Sequence, residues 1–158
     1  MSIGNIKNWR RNKPDAKQLL GYLPILQASD NSEKISTNFK NAVRKVFHES
    51  LRVLLEPLLS NSSINLTLNN EKIRFCPRIS VIIADWPEAA TYCLTYKSTM
   101  SNFPCHFCLV SRDNTPNINL RSNEMIPRTY DNMRLIFNQC SENSVCIEDV
   151  YNTFWDLP

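Results

Sequence analysis

Over Thr37 to Leu59, apolar side chains return every three or four residues: Phe39, Val43, Val46, Phe47, Leu51, Leu54, Leu55 and Leu58. An α-helix gathers such a set on one face, whereas a strand would scatter it over two. Lys40, Arg44, Lys45 and Arg52 fall largely outside the stripe. Ser36 or Thr37 is placed to cap the start, and Pro57 is predicted to kink or end the last turn, because its ring clashes with the preceding turn. A long helix with one apolar face needs a layer to lie on. His48 sits inside it, where a single histidine is read as a packed or exposed side chain rather than a ligand.

The segments that follow suggest that layer. Ile64, Leu66 and Leu68 alternate with polar residues, Asn69-Asn70-Glu71-Lys72 supplies a turn, and Ile73 and Phe75 resume the alternation. This predicts a β-hairpin. After Pro77, the run Ile79 to Ala84 is short, continuously apolar and rich in β-branched residues, the pattern of a strand buried on both faces. It stops on Asp85. The fold class predicted is α/β: a long amphipathic helix packed on a hairpin and on a buried strand ending at Asp85.

The flanks are less regular. Ser2 to Ile6 is read as a short strand, Trp9 to Pro14 as a basic turn, and Leu19 to Leu26 as an irregular connection broken by Gly21 and Pro24. Residues 28–34 read as a polar loop and 111–124 as an Asn-, Ser- and Pro-rich one. Thr129 to Cys140 is predicted helical, with Met133, Ile136 and Phe137 on one side, and Val145 to Phe154 as a further helix. The division expected is 1–110, holding the core segment and the C-x-x-C, and 111–158, a loop and helical insertion cut short beyond Trp155.

Composition excludes several chemistries. With 158 residues and 42% apolar content, one domain or part of one is expected. Only two glycines are present, so no Gly-rich phosphate cradle exists. The net charge of +3 is too small to argue nucleic-acid binding by itself. Lys7, Arg10, Arg11, Lys13 and Lys17 do cluster near the start, either as a solvated face or as a phosphate-contacting patch. No apolar run approaches the roughly 20 residues of a membrane span. No signal peptide is visible, so the six cysteines read as reduced thiols or metal ligands, in an intracellular chain.

Two features carry chemistry. Asp85-x-x-Glu88 with Pro87 is a helix-start signature, in which Asp85 caps the helix. Asp85 is also the right group for a Mg²⁺ ligand, since hard divalent ions take carboxylate oxygens; several such acids must converge to hold a two-metal site. The two roles are compatible. Cys105 and Cys108, bracketing His106, have the spacing at which one turn presents two sulfurs to a tetrahedral ion. That is half of a structural zinc site. Cys140 and Cys146, Cys93 with His106, or groups on another chain or segment could supply the rest; otherwise the pair is two thiols at a turn.

On GNIKNWRRNKPDAKQLLGYLPIL (4–26), VFHESLRVLLEPL (46–58), RISVIIADWPEAA (78–90) and NFPCHFC (102–108), the chain resembles the transposases encoded by Plavaka elements, fungal DNA transposons allied to the CACTA group. The order and spacing of these segments over about residues 2–112, and more loosely the FWDLP end, make the resemblance more specific than any one motif. It implies a partial ribonuclease-H-like fold and a DDE/D site that uses Mg²⁺ to cleave and rejoin DNA. Within that pattern Asp85 looks like the second catalytic acid, and Cys105 and Cys108 like the family's C-x-x-C insertion. The first catalytic acid belongs upstream of the SIGNI-like segment, and the D-x-x-H motif and last acid belong beyond FWDLP. The resemblance therefore implies an internal piece that is inactive alone, with an exposed sheet edge prone to self-association. The competing reading is a zinc-stapled module that binds DNA or a full-length transposase. Nuclear DNA is the site of action that the resemblance implies, although no compact nuclear signal is present.

Overall fold

The structure is a computed structural model of the whole chain. It describes all residues except Ser2, Ile3, Asn5, Asn61, Ser62, Thr99 and Pro158. The predicted strand Ser2 to Ile6 thus lies largely outside the described residues. In chain order the helices are α1 (Asn8–Arg11), α2 (Asn31–Ile35), α3 (Thr37–Leu59), α4 (Trp86–Cys93) and α5 (Tyr130–Asn138). The strands are β1 (Ile64–Leu68) and β2 (Glu71–Phe75), and short 3₁₀ turns fill the connections. Mixed α/β architecture holds in this coarse sense.

The long helix has the predicted bounds. Ser36, rather than Thr37, caps it by accepting the Phe39 N–H at 3.2 Å. Pro57 falls in its last turn, where the helix ends two residues later at Leu59. A second cap precedes it: Asp30 accepts the Glu33 N–H at 2.8 Å, and Glu33 reaches back to the Ser29 N–H. The reciprocal pair turns the expected loop at 28–34 into α2.

β1 and β2 pair antiparallel, from Ile64 opposite Phe75 to Leu68 opposite Glu71. Asn69 and Asn70 both take positive φ (52° and 66°), as a tight two-residue hairpin turn demands. The expected buried strand is absent. Among the described residues, 76–84 join no ladder and form no backbone–backbone hydrogen bond, and Val81 and Ile83 are 72% and 90% exposed. Burial on both faces requires neighbouring strands, and the only ladder among the described residues closes between β1 and β2. The run up to Asp85 has no regular secondary structure and no ladder partner among the described residues.

The layer under α3 is likewise not the hairpin. Its principal partners are α2 and the 3₁₀ turn Thr153–Asp156. His48, 1% exposed, fastens that contact. Its Nδ1 accepts the Thr153 N–H at 3.3 Å, and Thr153 Oγ1 donates to the His48 carbonyl at 2.7 Å. With Nδ1 accepting, Nε2 carries the proton and donates to the Thr91 carbonyl at 3.1 Å, tying in α4. Arg44 on α3 adds an ion pair with Glu148 at 2.6 Å.

The core proper gathers Met133, Val145, Ile147 and Trp155, with Leu109, Ile136 and Phe137 against them. This is the predicted apolar side of α5, capped by Thr129. The expected helix over 145–154 does not form. Cys146 takes positive φ (56°), Ile147 bridges Thr95, and only Thr153–Asp156 winds into a 3₁₀ turn, started by the Asn152 side chain. Gly21 in the irregular connection has a packing role: a Cβ there would meet Leu54 Cδ2 of α3 at 2.9 Å.

Candidate functional site

Asp85 begins α4. It is exposed, and its Oδ1 accepts the Glu88 N–H at 2.8 Å while Pro87 occupies the first turn. The capping reading therefore holds. A carboxylate has a second oxygen, so the cap leaves room for a metal-binding role. Among the described residues, however, no three His, Cys, Asp or Glu side chains converge on a point that could hold an ion. A single carboxylate offers one hard ligand where two-metal chemistry needs several.

Asparagine caps as well as aspartate but binds Mg²⁺ far less well. We expect Asp85→Ala to cost about 1 kcal/mol in urea unfolding and Asp85→Asn less than about 0.5. Equal losses in the two variants would mean that the cap contributes nothing.

The C-x-x-C lies beside this helix start. Trp86, next to Asp85, meets the His106 ring edge-on at a centroid distance of 4.5 Å, and His106 also contacts Phe107 at 4.2 Å. The acid and the thiol pair, read separately from the sequence, thus belong to one region. At this turn the Phe107 N–H donates to Cys105 Sγ at 3.3 Å, the Cys108 thiol lies against Cys105, and the Val110 amide faces Cys108. Amide donors directed at sulfur favour the thiolate that a metal requires. Burial works the other way and pushes the Cys108 thiol up. His106 Nδ1 is buried without a hydrogen-bond partner among the described residues, and burial followed by the nearby Arg128 charge pulls its imidazole down. The donor set fits zinc in kind, but only two thiols meet.

Arg128 holds the knuckle in place, and nothing in its local sequence announces this. Its Nε donates to the Cys105 carbonyl (2.9 Å), and its Nη2 donates to those of Phe103 (3.1 Å) and Val145 (2.7 Å). Its own backbone N–H bonds the Phe107 carbonyl, and Leu109 N–H bonds that of Ile126, so residues 107–109 and 126–128 form a short antiparallel contact. Burial opposes the guanidinium charge, and the thiols of Cys146, Cys105, Cys108 and Cys93 around it favour that charge.

A cleft of about 380 Å³ opens here, walled by Ile82, Ala84, Tyr92, His106, Phe107 and Trp155 among others. The basic cluster near the start is partly committed elsewhere. Arg10 pairs with Asp15, and Arg11 donates to the carbonyls of Gly4 and Ile6, while Lys7, Lys13 and Lys17 remain exposed. No helix among the described residues is long and apolar enough to cross a membrane.

An exposed acid at a helix start thus follows an apolar run and lies beside a turn that carries two thiols. The comparisons define the family. The family model for Plavaka transposase matches residues 1–157, and the chain belongs to that family. No curated protein and no solved structure matches significantly.

Proposed function

We propose that this chain is a transposon-derived protein whose Asp85 is one metal-binding acid of a ribonuclease-H-like DDE site that the chain does not complete by itself. The observation that carries this is Asp85 itself: exposed at the head of α4, at the end of an apolar run, in a chain of transposase ancestry. Family membership supports DNA as the partner, with Lys7, Lys13 and Lys17 as exposed cations for phosphate contact. Mg²⁺ bound by a full set of acids would activate water and stabilise the leaving oxygen of a DNA strand. With one acid in place, the expected result is DNA binding that weakens with salt and no strand cleavage. Incubating the purified chain with Mg²⁺ and labelled duplex tests this. Mg²⁺-dependent cleavage that disappears in Asp85→Ala would overturn it.

A second reading is favoured by the amide–sulfur bond at the knuckle. Cys105 and Cys108 bind zinc structurally, making the region a stapled surface for DNA or for a full-length transposase. Zinc would replace the two thiol protons and fix the turn.

A further inference from the structure

The knuckle presents two ligands where a structural zinc takes four, almost always in a tetrahedron. No third Cys, His, Asp or Glu of the described residues converges with them. We infer that Cys105 and Cys108 of two copies of this chain bind one zinc ion between them, forming a metal-bridged dimer. This rests on the zinc reading above and specifies what completes the site.

Three observations point to a second copy. The knuckle faces outward: Phe107 at its tip is 72% exposed, and both thiols are only half-buried. Each C-x-x-C spans one edge of a tetrahedron, and a two-fold axis through the ion sets the second, identical edge across the first, so the contact is self-complementary and closed. Ile82 and Tyr130, which share the cleft with Phe107, and Trp86 against His106 are also exposed, giving the pair of knuckles an apolar surround to bury.

Charge gives the third. Four thiolates around Zn²⁺ leave two negative charges. Behind each knuckle sits one Arg128 guanidinium, held against the Cys105 carbonyl, so the two copies bring two positive charges. The assembly approaches neutrality without any further partner. Binding is a substitution: four thiol protons pass to water as four Zn–S bonds form, with no change of oxidation state.

The test is zinc content together with solution mass of the reduced full chain, with and without chelator. Expected are about one zinc per two chains and a dimer that becomes a monomer with EDTA. Cobalt(II) added to the metal-free chain should give the absorption of a tetrathiolate and saturate at about half an equivalent. Cys105→Ser and Cys108→Ser should each abolish metal and dimer, and Cys76→Ser, outside the knuckle, should abolish neither. Circular dichroism checks that the serine variants fold, and the cobalt stoichiometry of the unmodified chain stands if they do not. About one metal per chain in a monomer would overturn the dimer and leave the zinc reading standing. Absence of metal binding would overturn both, and a dimer that survives EDTA would overturn the metal bridge.

Discussion

Arg128→Ala should lower the unfolding free energy by about 3–5 kcal/mol, the largest loss expected from any single substitution outside the apolar core. The guanidinium supplies donors to three backbone carbonyls, of Phe103, Cys105 and Val145, which come from two separate stretches of chain. Hydrogen bonds to a charged group contribute about 1.5–3 kcal/mol each, and a buried carbonyl left without a donor costs about 1–3. These effects overlap, so the sum is less than three times either figure. Arg128→Lys should recover less than half, because an ammonium is a point donor and the guanidinium is a planar fork that reaches diverging acceptors. Urea denaturation of the three proteins checks both statements. An alanine variant with an unchanged midpoint would mean that the clasp contributes nothing, and equal stability of Lys and Arg would refute the fork argument.

His48→Ala should cost about 3–4 kcal/mol, combining lost aromatic packing with an orphaned Thr153 N–H and Thr91 carbonyl. The same residue gives stability a pH dependence. Burial holds the folded-state pKa below the ordinary imidazole value. The unfolded chain therefore binds the proton more readily. His48's contribution is full above about pH 6.5 and drains away as pH falls from there toward the folded pKa. His106 is depressed as well and acts in the same direction. Unfolding curves between pH 7.5 and 5 should show a decline that is shallower, not absent, in His48→Ala. A parallel decline in both proteins would mean that His48 titrates without restraint.

What could be read in advance was local. The stripe from Phe39 to Leu58 is long enough to specify α3, and Asn69-Asn70 specifies a tight turn because both positions tolerate positive φ. Asp85-x-x-Glu88 gave a cap because its partner is three residues away. The failures have a common cause. Ile79 to Ala84 has a buried strand's composition, but burial depends on neighbours that composition does not supply. His48 meets Thr153 at a separation of 105 residues, and Arg128 meets Phe103 at 25. Both bonds are to backbone atoms, which leave no side-chain signature in the partner segment. A pattern of period 3.6 or 2 reports on its own element only. Of the candidate site, the residue types were legible, whereas the packing of Trp86 on His106 that unites them was not.

The β1–β2 hairpin has a consequence for how this sequence can change over time. Its contacts are mainly internal, its side chains are almost all exposed, and it is followed by a run with no backbone partners among the described residues. The fasteners of the fold, His48 and Arg128, lie outside it. Substitutions between Ile64 and Phe75 are therefore nearly decoupled from the integrity of the remainder. That stretch can drift freely unless something outside the chain's own fold rewards its pattern. Its alternating, β-branched pattern faces solvent and not the core, so a partner that covers the hairpin is what would hold that pattern in place.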